Sequence, residues 1–297
     1  PEEMAQHFLG THFFNPPRYL KLLELIPTAK TSPEVIKAVA AFGENVLGKG
    51  IVYAKDTPNF VANRIITFAM QYLMHEMTKA GLSVEEIDSL TGPAIGHASS
   101  ATFRTADLVG LDTLQKVVGN VYNGCPNDER HDMMKGPDWF DKMIEKGYFG
   151  NKSGSGFYKA TKEKDEKGKK IILGVDPATV DYRAPVKPRF ACTGAVRGAG
   201  SIEEKLKIMH FSDDEGAKFL FKFFANMAQY AGNRIPEITD DIVNLDNACK
   251  WGFAWEVGIF ETWDLLGFDA VCERMAAEGI ELPPIAKALK EAGGKSF

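Results

Sequence analysis

Near its start the chain has two apolar runs, each carrying one ionisable side chain. His12 sits between FLGT and FFNPP, and Glu24 stands in LKLLELI twelve residues on. Imidazole exchanges its proton near neutral pH, so His12 is a candidate general base. A carboxylate on an adjacent strand could accept the ring N–H, fix the tautomer and make the other nitrogen more basic. Glu24 suits that task as the sole acid of a run that must be largely buried, because a buried carboxylate without a partner is costly. A histidine among phenylalanines is more often a packed structural residue, and it is Glu24 that lifts His12 above that reading. Asn63 is the third polar side chain of interest. It is flanked by Phe60, Val61, Ile65 and Ile66, so its amide needs partners, which either backbone groups or a substrate oxygen could supply.

The elements that would hold these residues follow from periodicity. Strand-length apolar runs lie at 8–14, 20–26 and 51–54. Between the last two, SPEVIKAVAAFGENVLGKG has helical spacing, with Ser32 as N-cap and Pro33 at the first helical position. The order strand, strand, helix, strand reads as the last part of a larger α/β sheet, since three strands alone make a poor one. A long helix is expected from Thr57 as cap and Pro58 in the first turn to Lys79, stopped by Gly81. Ser83 to Glu86 forms a capping box, and helical patterns continue to about residue 150. KATKEKDEKGKK with IILGVDPATVDYR then reads as an exposed hairpin or loop. A boundary is expected near 183–200, in a Pro- and Gly-rich stretch, before helices resume.

Residues 85–113 are echoed at 240–269: an acidic-Ile start leads through a Gly-rich middle to Asp-Leu-x-Gly and a closing Asp. A duplicated helical domain is the favoured reading, which divides the chain into 1–56, 57–182 and 183–297.

Composition excludes several classes. A chain of 297 residues with 44% hydrophobic and 25% charged residues is an ordinary globular protein. A net charge of -5 argues against nucleic acid as the main partner. Cys125, Cys192, Cys249 and Cys272 are widely spaced, which removes zinc-ribbon readings and suits a reducing compartment. No apolar run approaches the roughly 20 residues of a membrane span. The chain opens on PEEMAQHF, without a signal-peptide pattern and without methionine, as a chain whose beginning lies elsewhere would. No G-x-G-x-x-G, P-loop, H-E-x-x-H or G-x-S-x-G occurs, so neither a phosphate cradle nor a metal motif is read here.

Four segments, in order, resemble one family. GTHFFNPPRYLKLLELIP resembles the H-F-F-N-P segment of the 3-hydroxyacyl-CoA dehydrogenases, and KDTPNFVANRI their D-T-P-G-F-x-x-N-R helix start. TADLVGLDT is similar to their D-x-x-G-L-D helix and GNKSGSGFYK to their G-x-K-x-G-x-G-F-Y segment. The match runs from residue 10 to about 158 and continues more loosely into a second copy. Asn59 stands where the family has glycine, and GHASSATFRT lacks the G-x-x-G-P-F-E pattern that WGFAWEVGIFET keeps better.

The resemblance implies a mainly α fold. It would have two tandem helical domains like the C-terminal domain of 6-phosphogluconate dehydrogenase, preceded by the last strands of a truncated α/β Rossmann domain. It implies oxidation of 3-hydroxyacyl-CoA to 3-oxoacyl-CoA in fatty-acid β-oxidation, with NAD as cofactor of the complete protein. His12 would be the general base, Glu24 its orienting acid, and Asn63 a ligand of the substrate near the reacting carbonyl. A serine that the family uses upstream of the histidine has no counterpart among the eleven residues before His12. The glycine-rich loop being absent, no cofactor-binding residue is assigned. The chain alone, read as the C-terminal part of a long multifunctional member, is expected neither to bind NAD tightly nor to oxidise NADH with acetoacetyl-CoA. Further expectations are a fused enoyl-CoA hydratase module, a homo-oligomer and a cytoplasmic location. Two alternatives stay open: a non-catalytic dimerisation or docking module, and a dehydrogenase of another small hydroxy acid.

Overall fold

The computed structural model describes residues 2–297. Along the chain, α1 (Glu2–Gln6), β1 (Leu9–Phe13) and β2 (Leu22–Pro27) are followed by α2 (Pro33–Asn45) and β3 (Gly50–Tyr53). Helices α3 (Ala62–Lys79), α4 (Val84–Leu90), α5 (Phe103–Val109), α6 (Leu111–Gly124) and α7 (Asp138–Glu145) come next. Strands β4 (Tyr158–Lys164), β5 (Lys170–Asp176) and β6 (Asp181–Arg183) interrupt the helices. The chain ends with α8 (Ala191–Ala195), α9 (Ile202–Phe211), α10 (Glu215–Asn233), α11 (Ile242–Phe253), α12 (Ile259–Leu266), α13 (Phe268–Ala277) and α14 (Pro284–Glu291). It folds into two compact units: the residues through Ile66 together with Phe224–Phe297, and Thr67–Phe223. The mainly helical class with an N-terminal β-α-β region is as expected.

In the first unit β1 pairs antiparallel with β2, and β2 parallel with β3. The alternation of side chains along β2 decides what lies on each face. Leu23 and Leu25, with Ile51 of β3, form a buried cluster with Ala40 and Val39 of α2. Leu22 and Glu24 point the other way, where α11 packs. Trp251 of α11 lies so close to the sheet that a Cβ on Gly50 would come within 2.3 Å of its ring, so no larger residue fits there. Phe253 meets Phe14 edge-on, ring centroids 5.7 Å apart. The outer edge of β3 is covered by the chain before and at the start of α11. Tyr53 N donates to Asn244 Oδ1 (2.9 Å), Thr239 Oγ1 to Tyr53 O (2.9 Å) and Lys55 N to Ile238 O (2.8 Å). A sheet edge that would otherwise invite pairing with another chain is thus occupied.

In the second unit Ser83 accepts from Glu86 N while Glu86 reaches back to Ser83 N, the expected capping box. Asp88 of α4 caps the next helix, accepting N–H groups of Thr102, Phe103 and Arg104. Asp107 of α5 takes the N–H groups of Phe157 and Tyr158, seating Phe157 against Phe103 at 4.5 Å between ring centroids. The charged segment after Tyr158 forms the antiparallel sheet β4-β5-β6, bearing out the expected hairpin.

The sequence echo has a structural counterpart. Asp246 of α11 accepts the N–H groups of Phe260 and Glu261, doing for α12 what Asp88 does for α5. Phe103, Asp107 and Gly110 recur at one constant offset as Phe260, Asp264 and Gly267. Asp264 accepts from Phe297 N, and Phe297 packs on Phe260 at 4.8 Å as Phe157 packs on Phe103. Gly110 and Gly267 turn the chain between consecutive helices at φ +102° and +98°, values that favour glycine. The weaker match of GHASSATFRT to the family pattern therefore does not cost the first copy its capping aspartate.

One helix boundary is corrected. Thr57 does not cap α3, which begins at Ala62 instead of Pro58, because Asn59 and Phe60 take left-handed backbone (φ 63° and 54°) that breaks any earlier turn.

Burial pushes the carboxyls of Asp88, Asp107 and Asp246 up to about 6, against the pull of the N–H groups they accept. A folded-state value above the ordinary 3.8 means that the folded chain holds the proton where the unfolded chain has lost it. The contribution of these groups to stability therefore grows as pH falls from 7 through 6 toward 4. Asp88→Ala, which strips three N–H groups of their acceptor, should cost about 2–4 kcal/mol in urea unfolding. That loss should be larger at pH 5 than at pH 7, whereas Asp213→Ala, at a side chain 93% exposed, should change stability by less than about 0.5 kcal/mol.

Candidate active site

His12 and Glu24 are direct cross-strand partners in the β1–β2 register, so their side chains leave the sheet on the same face. His12 Nδ1 lies 2.6 Å from Glu24 Oε2. The Glu24 side chain is 0% exposed and that of His12 31%, so the pair has one dry end and one end open to solvent. Phe14 flanks the imidazole at 4.8 Å and Phe60 at 5.5 Å between ring centroids. The ring is held by an ionic hydrogen bond and two aromatic neighbours.

Glu24 has a second task that local sequence does not announce. Its Oε1 accepts the N–H groups of Val61 (3.1 Å) and Ala62 (2.9 Å), the first donors of α3. A helix start leaves several N–H groups without intrahelical partners and carries partial positive charge, which favours a carboxylate there. Glu24 is therefore the cap of α3, supplied from a strand 37 residues earlier in the chain. The left-handed pair Asn59 and Phe60 turns the backbone so that these two N–H groups face it. Asparagine takes that conformation more readily than most residues, which is how it replaces the glycine of the resembling motif.

With α3 starting at Ala62, Asn63 lies in its first turn and is half-buried. The structure thus brings His12 and Glu24 into contact, and places Asn63 next in sequence to the two residues that Glu24 caps.

The two carboxylate oxygens divide the labour. Oε2 accepts from Nδ1–H, which leaves the lone pair on Nε2, the nitrogen not used by Glu24. Oε1 is engaged by two backbone donors, so the carboxylate cannot swing away when the imidazole takes up a proton. The arrangement can abstract a proton from a hydroxyl and hold the resulting imidazolium against a fixed negative charge.

The parallel β2–α2–β3 unit is of the kind that binds nucleotides. The loop from β2 to α2, residues 28–32, contains no glycine, and the start of α2 is closed by Ser32, whose side chain accepts from Val35 N at 3.4 Å. No residue of this unit is assigned to a pyrophosphate. Among the described residues no group of three His, Cys, Asp or Glu is placed to hold a metal ion, and no helix is long and apolar enough to cross a membrane.

Two family models match the chain: "3-hydroxyacyl-CoA dehydrogenase, NAD binding domain" over residues 2–57, and "3-hydroxyacyl-CoA dehydrogenase, C-terminal domain" over residues 60–160. A "Probable 3-hydroxyacyl-CoA dehydrogenase" of Bacillus subtilis is 44% identical over 296 residues, covering 100% of this chain and 36% of that relative. A protein with the same description in Deinococcus radiodurans is 49% identical over 64% of this chain and 53% of its own length. The chain therefore spans between about a third and a half of the relatives it matches. Among solved structures, 3-hydroxybutyryl-CoA dehydrogenase of Escherichia coli K12 superposes with a TM-score of 0.63 over 96% of this chain and 71% of its own, at 18% identity, a likeness of fold alone. The match over residues 2–57 agrees with the reading of residues 1–56 as part of an NAD-binding α/β domain; with both domains matched, the expected description of the chain as a C-terminal part is too narrow. With its histidine–glutamate pair in the region matched by one model and its α3 helix in that matched by the other, the chain belongs to the 3-hydroxyacyl-CoA dehydrogenase family.

Proposed function

We propose that the polypeptide carrying this chain interconverts 3-hydroxyacyl-CoA and 3-oxoacyl-CoA in fatty-acid oxidation, with His12 as the general base. The observation that carries this reading is the 2.6 Å His12–Glu24 contact, whose carboxylate is itself anchored on the start of α3. NAD, when bound, would supply the hydride acceptor for C3 of the substrate. His12 Nε2 takes the 3-hydroxyl proton in the forward direction and returns it in reverse. Glu24 keeps the tautomer that leaves Nε2 free and offsets the charge of the imidazolium. Asn63, at the first turn of the helix that Glu24 caps, donates its amide N–H to the substrate oxygen on which charge develops.

The chain boundaries 1–56, 57–182 and 183–297 are proposed as the divisions between the NAD-binding portion and the two helical copies. The recurring Asp-capped helix pairs support the last of these. A fused enoyl-CoA hydratase module and a homo-oligomer are proposed for the whole protein, the former in keeping with a Bacillus relative of which this chain covers 36%. The anchored Glu24 favours catalysis over a purely docking role, because a docking surface has no use for a buried carboxylate with an imidazole at its open end.

The test is reduction of acetoacetyl-CoA by NADH, followed as loss of NADH absorbance. His12→Gln should lower kcat by about 10³-fold or more with little change in KM or thermal midpoint. An active His12→Gln enzyme would refute the assignment.

Glu24→Gln should act on two properties at once. The amide cannot serve both the imidazole N–H and the two helix N–H groups as acceptor, so kcat should fall by about 10²- to 10⁴-fold. Stability should fall by about 1–3 kcal/mol through the weakened cap. A variant that loses only one of the two would separate the cap from the catalytic partner.

Asn63→Ala should lower kcat by about 10²-fold, the cost of one oxyanion donor, with a smaller effect on KM for the acyl-CoA. A change confined to KM would move Asn63 from transition-state stabilisation to ground-state binding.

A further inference from the structure

The second helical copy meets the first turn of α3 at a buried side chain, Arg64. Arg64 follows Asn63 on the first turn of α3 and is 0% exposed. Its Nε donates to Tyr230 Oη at 2.7 Å, and one of its terminal nitrogens lies 3.1 Å from Glu237 Oε1. Glu237 in turn binds Arg234 at 2.9 Å through Oε2, and the Arg234 guanidinium lies over the Tyr230 ring at 4.9 Å. Tyr230 is 0% and Arg234 6% exposed. All four residues belong to the first compact unit, as do His12 and Glu24.

Resting on the dehydrogenase reading above, we propose that Tyr230, Glu237 and Arg234 are positioning residues for catalysis: through Arg64 they hold the first turn of α3 in register with Glu24, and so set the orientation of His12. The second helical copy is then a working part of the catalytic unit and not only a spacer or docking module.

The argument is one of geometry and charge. Glu24 Oε1 grips α3 only through the N–H groups of Val61 and Ala62, so a rotation of that turn would break the grip and free the carboxylate. The residues before this turn, Asn59 and Phe60, are in left-handed backbone and do not stiffen it by helical hydrogen bonding. Arg64 lies one residue beyond Asn63, and its guanidinium is fixed at two points by a phenol and a carboxylate. A planar guanidinium with two such partners fixes direction as well as distance. Glu237 faces two arginines at once. Removing its charge would weaken the ionic hold on both, and Arg64 is the one that lies on the turn capped by Glu24. The hydrogen bonds from Thr239 Oγ1 to Tyr53 O and from Lys55 N to Ile238 O tie the segment that bears Glu237 to the strand beside β2.

The test uses the whole polypeptide with three variants: Glu237→Gln, Tyr230→Phe and, as a control on the same helical copy, Lys287→Ala, an exposed residue. Two readouts are taken well below each variant's thermal midpoint. The first is steady-state reduction of acetoacetyl-CoA by NADH. The second is the ¹H,¹⁵N spectrum of histidine-labelled protein, where an Nδ1–H held by a carboxylate gives a downfield signal assignable by its loss in His12→Gln. Glu237→Gln should lower kcat by about 10- to 100-fold with KM within about twofold, and should broaden or shift the His12 Nδ1–H signal. Tyr230→Phe should do the same to a smaller extent, and Lys287→Ala should change neither. If Glu237→Gln lowers the thermal midpoint but leaves both kcat and the His12 signal as in the parent, the network is merely structural and the proposal is overturned. The spectrum separates this failure from failure of the dehydrogenase reading. A parent protein without activity would refute the reaction, while a His12 signal that responds to Glu237→Gln would still uphold the mechanical link.

Discussion

The arrangement around His12 depends on one carboxylate being held at both oxygens. Glu24 is buried on the inner face of a three-stranded sheet, where an uncompensated charge would be expensive. Compensation comes from an imidazole on one strand neighbour and from the first two N–H donors of α3. Each partner explains the other. The helix start supplies a fixed positive field that makes a buried carboxylate tolerable, and the carboxylate supplies the cap that this helix lacks in its own sequence. The imidazole then meets a charge that is already in place and already oriented, so little reorganisation accompanies protonation.

That requirement ties together segments distant in the chain. The strand bearing Glu24 needs its neighbours β1 and β3 to set its register, since a one-residue slip would turn His12 and Glu24 to the face of α2. On the inner face the sheet needs a close-packed helix, which α11 provides through Trp251 on Gly50 and Phe253 on Phe14. A helix of the second copy thus finishes a sheet laid down by the first residues of the chain. The two copies share a device for joining consecutive helices, a carboxylate from one helix accepting the first N–H groups of the next, in Asp88 and in Asp246. It is the same device as Glu24 on α3. In all three places a buried acid is stabilised by helix N–H groups; Asp88 also accepts from the Tyr158 hydroxyl, and Glu24 gives its other oxygen to an imidazole.

How much of this was legible in the sequence divides along one physical line. Features set by neighbours in the chain were readable: the strands around His12 and Glu24, Ser32 as the cap of α2, the Ser83–Glu86 box, Gly81 ending α3 at φ +67°, and the β4–β5 hairpin. The pairing of His12 with Glu24 was readable too, because a lone acid in an apolar run demands a partner and an adjacent strand held the obvious one. The start of α3 was misplaced because Thr57 and Pro58 carry good local signals, and the real cap is a carboxylate brought across by tertiary structure. Nothing within several residues of Ala62 marks it as a helix start. The left-handed turn at Asn59 and Phe60 is likewise a consequence of that long-range cap, although an asparagine in place of glycine was a trace of it.

The same line bears on where function resides. Local signals identified which residues could do chemistry, and tertiary contacts decide whether they are held well enough to do it. For a base that must keep one tautomer and accept a charge, positional freedom of even a fraction of an ångström is costly, so the groups that remove it belong to the site as much as the base does. In this chain those groups lie on α3, on the turn before it, and on the cluster of buried Tyr230 and Arg234 with the partly exposed Glu237 that grips Arg64. On the proposed reading, residues 183–297 are a second copy of an ordinary helical element. Packing that copy against the catalytic sheet exposes it to a different constraint, because a residue such as Glu237 now touches the helix on which Glu24 depends, and a change there is felt at His12 without altering any residue that meets substrate.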